Sequence, residues 1–181
     1  GEIVDEMYEI QKMLGRGGFG AVFLARHLPM DRDVALKMLV AHGPDPEEMI
    51  ERFKREVMAI RNLSHPNTVR IFDYRDSDEQ TLLYYTMEYL RGQTLKDVVR
   101  SGGPQSPHRV HHILRQVLKS LAEAHAFGIV HRDLKPANIM LVDLHGETDF
   151  VKVLDFGIAK IMEQEDDEDD PLTTAGMLVG T

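Results

Sequence analysis

The chain has 181 residues, a formal net charge of −9 and 43% hydrophobic residues. This is enough for one domain with a core or for two small lobes, and too apolar for a disordered chain. The acidic balance argues against a nucleic-acid backbone as principal ligand, the lack of cysteine rules out disulfides and thiolate metal sites, and no apolar run approaches the ~20 residues of a membrane span.

Taken in order, "YEIQKMLG" alternates weakly and stops at the glycine cluster "GRGGFG". "AVFLARH" and "RDVALKMLV" follow around a Pro-Met-Asp turn, and the three segments predict a meander of strands. "PDPEEMIERFKREVMAIRNLSHPN" has helical spacing, with Met49, Phe53, Val57 and Ile60 in one stripe. Asp45 fits its N-cap and Pro46 its first turn. "TVRIFDYRD" and "TLLYYTMEYL" predict two more strands, and Gly92 then marks a boundary between lobes, 1–90 and 91–181. A short helix is expected in "TLKDVVRS". A long one is expected in "SPHRVHHILRQVLKSLAEAHAFG", capped by Ser106, started by Pro107 and stopped by Gly128. Its Val110, Ile113, Leu114, Val117, Leu118 and Leu121 are expected to face a core. "IMLV" and "FVKVLDFG" read as a strand pair, and the acidic run Glu163 to Asp170 as a loop.

Gly15, Gly17 and Gly20 have the G-x-G-x-x-G spacing that lets backbone N–H groups approach phosphate oxygens. A helix should follow in a dinucleotide fold; here a strand follows, so that reading lacks its context. Lys37 lies among apolar neighbours in "DVALKMLV", and Glu56 lies inside the apolar stripe of the first helix. Each could be an ordinary solvated residue. A buried Lys37–Glu56 pair meets both needs at once and leaves the ammonium beside the glycine loop.

"GIVHRDLKPANIMLV" encloses His131, Arg132, Asp133, Lys135 and Asn138 between apolar flanks, where unpaired charge is costly. With Asp155 in "VLDFG", the set comprises an acid able to accept a hydroxyl proton, an amide and a second acid able to hold Mg²⁺, and a lysine to neutralise a transferring group. That is an inventory for phosphoryl transfer. "GRGGFGAV", "VALK", "HRDLKPAN" and "DFG", in that order, resemble the eukaryotic-like Ser/Thr protein kinases, and "HRDLKPANIML" with "VLDFGIAK" is most similar to bacterial members.

The resemblance implies an α+β, two-lobed fold, with a five-stranded antiparallel N-lobe carrying one helix and a partial, mainly helical C-lobe. It implies ATP with Mg²⁺, or Mn²⁺ as an alternative, and proteins with Ser/Thr acceptors as substrates. By the same resemblance Asp133 is the catalytic base, Lys135 steadies the γ-phosphate, Asn138 and Asp155 hold the metal, and Lys37, paired to Glu56, contacts the α- and β-phosphates. Gly15, Gly17, Gly18 and Gly20 cover the phosphates. Leu14, Val22, Ala35, Met140 and Leu154 enclose the adenine, Met87 is the gatekeeper, Glu88 to Leu90 form the hinge, and Asp97 reaches the ribose. Arg132 is a receptor for an activation-loop phosphate on Thr173 or Thr174, while Thr181 braces Asp133 and Lys135.

The family's A-P-E motif and later helices are absent from these residues, so we expect a piece of a longer chain, and peptide binding and activity of the piece alone are in doubt. A cytoplasmic location is expected, either free or as the cytoplasmic part of a membrane-anchored kinase. His131 reads as a core residue, and His108, His111 and His112 as a solvated helix start rather than a metal site. A scaffold without catalysis is disfavoured because Lys37, Asp133, Asn138 and Asp155 are all present. A small-molecule phosphotransferase is disfavoured by "HRDLKPAN" with a threonine-bearing segment after it.

Overall fold

The computed structural model describes residues 1–17, 20–39, 46–76, 83–144 and 146–156; the side chains of residues 46–49, 52, 56 and 76 also fall outside the described set. Six strands form one antiparallel sheet: β1 (Ile3–Val4), β2 (Tyr8–Gly17), β3 (Gly20–His27), β4 (Arg32–Leu39), β5 (Ile71–Asp76) and β6 (Leu83–Glu88), ordered β1-β2-β3-β4-β6-β5. The two-lobed α+β class holds, and the sheet has one strand more than the expected five. Asp5 and Glu6 adopt φ of 50° and 56°, which folds Ile3–Val4 back onto β2. The turn is held because Asp5 accepts a hydrogen bond from the Tyr84 hydroxyl.

Alternation in β4 sorts its side chains as the sequence predicts. Ala35 and Leu39 join the core under α1 (Pro46–Arg61), with Phe53, Val57, Ile60, Ile71, Tyr85 and Met87. Val34 and Leu36 face the opposite side, with Val4, Tyr8, Ala25 and Tyr84. Met49 and Asp45 lie outside what is described, but the rest of the helix stripe is buried as expected.

A second sheet, β7-β8-β9, consists of Gly92–Thr94, Ile139–Leu144 and Glu147–Val153. The sequence predicts only the last two. Gly92 joins because its missing side chain lets β7 approach β8: a Cβ there would lie 2.2 Å from the Leu141 carbonyl oxygen. Thr94 caps α2 (Leu95–Gly102), and Ser106 caps α3 (Pro107–Ala126) by accepting from the Arg109 N–H. Just past α3, Gly128 takes a φ of 73°, the left-handed turn that ends the run.

The α3 stripe needs correction. Ile113 and Val117 are buried and Leu121 partly so, but Val110, Leu114 and Leu118 are 40%, 49% and 62% exposed. The stripe is wider than the surface it meets. β9 packs against α3, while these three positions stay open to solvent. Val130 in the charged segment is likewise exposed rather than buried.

The sheets are joined by the loop after α1. Val69 N–H donates to the Val153 carbonyl at 2.9 Å, and Val153 N–H to that of Asn67 at 2.7 Å, making a parallel bridge at Thr68. The Asn67 amide donates to the Val151 carbonyl and to Gln116 Oε1 at 2.8 and 3.0 Å, and the Thr68 and Ser120 hydroxyls bond at 2.7 Å. Glu123 of α3 accepts from the N–H groups of Ser64 and His65 at 3.1 and 2.9 Å, and from the Ser64 hydroxyl at 3.1 Å. Partial burial would push this carboxyl up, but the bonds from His65 and Ser64 outweigh it and hold it below the ordinary 4.5.

A depressed carboxyl stabilises the fold above its ordinary value and loses that contribution as pH falls through its folded value. Glu123→Gln is therefore expected to cost about 1 kcal/mol at neutral pH, a modest figure because the group is partly solvated. Denaturant melts at descending pH should show this difference from the parent closing below pH 4.5.

Candidate active site

The glycine cluster is the tip of the β2–β3 hairpin, in which Gly15 pairs with Val22, Arg16 with Ala21 and Gly17 with Gly20. A strand follows it, as expected. Gly20 is required by the fold itself: its φ is 142°, and a Cβ would lie 2.0 Å from the Met38 carbonyl oxygen. Gly15 differs, since a Cβ there would meet nothing within 4 Å. Gly18 lies outside the described residues.

Below the hairpin, Ala35 and Met87 are buried, and Val22, Leu90 and Leu154 pack half-buried against the same core. Met140 is half-buried and Leu14 is 42% exposed. Of the expected adenine residues, Val22, Ala35 and Leu154 thus share one apolar cluster with Met87, while Leu14 and Met140 fall outside it.

Lys37 on β4 donates to Asp155 Oδ1 at 2.7 Å, with both side chains partly buried. The sequence names Glu56 as its partner; that side chain lies outside the described set, and the described anion is Asp155. The Tyr85 hydroxyl donates to the same Oδ1 at 3.1 Å. Burial pushes the Asp155 carboxyl up, yet the Lys37 ammonium and the two hydrogen bonds outweigh it and hold the group below the ordinary carboxylate range. Burial and the Asp155 charge drive the Tyr85 phenol well above its ordinary value, so it remains a donor.

The segment 131–138 forms the floor. His131 is buried, its Nε2 lies 2.9 Å from the Leu154 carbonyl, and its ring stands 4.6 Å from that of Phe156. Burial depresses this imidazole, against the opposing effect of the bond to Leu154, and its packing in the core against Phe156 matches the expected core histidine. Arg132 takes a φ of 57° and is exposed. Lys135 Nζ lies 2.8 Å from Asp133 Oδ2. The Asn138 amide, on a short 3-10 turn at Pro136–Asn138, donates to the Asp133 carbonyl and to its Oδ2 at 2.9 and 3.1 Å. Its N–H₂ face is thereby committed, so its carbonyl oxygen is the face left for a cation. The Asn138 backbone carbonyl accepts from Leu154 N–H at 2.9 Å, which ties this loop to the residue before Asp155. A carboxylate and an amide oxygen are donors of the kind that suit a hard divalent cation.

At the end of β6, Glu88 reaches across to the second sheet. Its Oε1 accepts from Lys152 Nζ at 2.6 Å and from the Arg70 N–H at 2.8 Å. Lys152 is buried, and the sequence reading gives it no role. Asp97 accepts from the Thr94 hydroxyl at 2.6 Å and from Arg100 at 2.8 Å, and Thr94 first, then Arg100, holds its carboxyl below the ordinary value. Its carboxylate is thus already engaged at the start of α2. His108, His111 and His112 are exposed at the start of α3. Thr173, Thr174, Thr181 and the acidic run lie outside the described residues.

Two side chains, Tyr85 and Lys152, escape the sequence reading. Tyr85 carries no signal of its own, since only the β4–β6 pairing of the folded sheet sets it directly opposite Lys37. Lys152 carries none, because its partner lies 64 residues away on another sheet.

The family description "Protein kinase domain" matches residues 8–178. The chain belongs to the protein kinase family. Serine/threonine-protein kinase pkn3 of Myxococcus xanthus is 42% identical over 181 residues, 100% of this chain and 33% of that protein. Serine/threonine-protein kinase Pkn1 of the same organism is 44% identical over 174 residues, 96% of this chain and 24% of that protein. The crystal structure of the Mycobacterium tuberculosis PknI kinase domain superposes with a TM-score of 0.74 at 29% identity, covering 86% of this chain and 60% of that one. This kinase domain sequence therefore spans a third or less of the curated relatives named here.

The two glycines should behave oppositely on stability. Gly20→Ala is expected to destabilise the domain by roughly 2 kcal/mol or more, through backbone clash and an unfavourable φ. Gly15→Ala should stay within about 1 kcal/mol of the parent. Paired thermal melts without nucleotide check the contrast.

Proposed function

We propose that these residues are the nucleotide-binding and catalytic-loop part of a protein kinase that transfers the γ-phosphoryl group of ATP to Ser or Thr hydroxyls of proteins. The observation that carries this is the Asn138–Leu154 backbone bond, which ties the loop bearing Asp133, Lys135 and Asn138 to the end of β9, where Asp155 accepts from Lys37 of β4. Residues 1–90 act as the lobe that covers ATP and residues 91–181 as part of the lobe that presents the acceptor.

In this reading Asp133 orients the acceptor hydroxyl and accepts its proton, while Lys135 carries positive charge beside the transferring group. Lys37 divides its ammonium between Asp155 and the phosphates, with Glu56 as a further anchor. Gly15, Gly17, Gly18 and Gly20 cover the phosphates. Leu14, Val22, Ala35, Met140 and Leu154 enclose the adenine beside Met87, and the backbone of Glu88 to Leu90 bonds its edge. Asp97 faces the ribose. Asn138 and Asp155 hold the divalent cation, Mg²⁺ with Mn²⁺ as the alternative; when bound, it shields the phosphate charge. Arg132 receives a phosphate on Thr173 or Thr174, a charge-assisted contact that orders the segment after Asp155. Among the described residues no helix is long and apolar enough to cross a membrane. By its likeness to bacterial Ser/Thr kinases, we place the domain in the cytoplasm, free or as the cytoplasmic part of a membrane-anchored kinase.

Transfer of labelled phosphate from ATP to a generic basic protein, using the natural full-length chain, tests the reading. Asp133→Asn should lower transfer by at least about 100-fold and leave ATP affinity within about twofold, since it removes a positioning group and no phosphate contact. Lys37→Met should also silence transfer. Full turnover in the Asp133→Asn protein would refute the assignment.

A further inference from the structure

Tyr85 is 1% exposed, in the middle of β6 and directly across from Lys37. A buried phenol needs a partner for its hydroxyl, and the commonest solution is a backbone carbonyl or another neutral group. Here the hydroxyl instead meets the Asp155 carboxylate, at 3.1 Å. The ring is fixed from two sides. Phe53 of α1 packs on it at a centroid distance of 6.0 Å, and the Lys37 ammonium stands 5.9 Å from its centroid. The phenol therefore arrives at Asp155 from a rigid sheet, backed by a helix.

Both described bonds to the Asp155 carboxylate, from Lys37 and from Tyr85, end on Oδ1. Among the described residues none bonds Oδ2. The two donors differ in kind. The lysine brings a full positive charge, which would repel a cation on the same carboxylate and is drawn toward phosphate when nucleotide is present. The phenol brings a donor without net charge. It can hold Oδ1 against the sheet while leaving the carboxylate fully anionic for a metal. Asp155 itself has a φ of 49°, an uncommon backbone state for a residue other than glycine, so its side-chain direction benefits from an external anchor.

We propose that Tyr85 is a positioning residue for the divalent cation: its hydroxyl pins Asp155 Oδ1 to the N-lobe sheet so that Oδ2 is presented to the metal. This rests on the reading of Asp155 as a metal-holding residue, and the test separates the two. ATP affinity of the natural full-length protein is measured by calorimetry in EDTA and across a Mg²⁺ titration, for the parent and for Tyr85→Phe. The ring and its packing survive in this variant. The Mg²⁺ concentration that half-develops the metal-dependent gain in affinity should rise about tenfold, the effect of one hydrogen bond to a charged group. ATP affinity in EDTA should stay within about twofold of the parent, because the nucleotide does not touch the phenol in this arrangement. Tyr85→Met, which fills the space without a donor, replaces the phenylalanine variant if that protein does not fold. An unchanged Mg²⁺ midpoint overturns the role of Tyr85 and leaves that of Asp155 standing. Equal weakening with and without metal also overturns it, since that marks a merely structural residue. If Mg²⁺ does not change ATP affinity even in the parent, the reading of Asp155 fails and this inference fails with it.

Discussion

The two bonds that Val153 exchanges with Asn67 and Val69 hold the molecule together at the point that matters most. They continue β9 alongside a loop belonging to the other sheet, so one strand end is built into both lobes. Leu154 and Asp155 follow at once and inherit that fixed starting point. Asn67, Thr68, Ser64 and His65 then spread the attachment over α3 through Gln116, Ser120 and Glu123. The cost of ordering this loop is offset by the bonds its N–H groups, the Asn67 amide and the Thr68 hydroxyl make to β9 and α3, which is what burial demands of backbone and amide alike.

Charge follows the same geography. Lys37 with Asp155 and Lys152 with Glu88 each join the six-stranded sheet to β9 or the residues just beyond it. Neither is a surface pair of long, freely moving side chains, for which the net gain is small. In both, one partner is largely removed from water, so loss of the other would leave a charge stranded. The Glu88 pair fixes the chain where it leaves β6, and the Asp155 pair fixes it where it leaves β9. Ala35, Met87 and Leu154 belong to the apolar cluster that the two sheets share.

Much of this was legible in the residues. The β4 alternation placed Ala35 and Leu39 on the core side, Pro46 and Ser106 marked helix starts, and the glycine spacing followed by a strand placed the hairpin. That Lys37 needed an anion was readable from its apolar neighbours, but that Asp155 would supply one was not. Asp155 lies 118 residues further on, and only the folded path of β9 brings it back. Tyr85 and Lys152 look like ordinary strand residues because strand patterns report which face is buried and not what stands opposite. The α3 stripe failed for a related reason. Helical spacing shows that Leu114 and Leu118 could be covered and cannot show what covers them. β1 and β7 were missed because two- and three-residue strands carry no period.

The side chain of Asn138 has a consequence for which residues this position can hold. It gives on one edge, to the carbonyl and carboxylate of Asp133, and presents an oxygen with free electron pairs on the other. Aspartate has the same shape and half that character: it cannot give, and it would set two like charges where a hydrogen bond of 3.1 Å now stands. Leucine keeps the volume and loses both edges, stranding the Asp133 carbonyl. Glutamine keeps both but adds a methylene at a buried site. A primary amide on a short stem meets all of these demands, and among the standard residues only asparagine provides one.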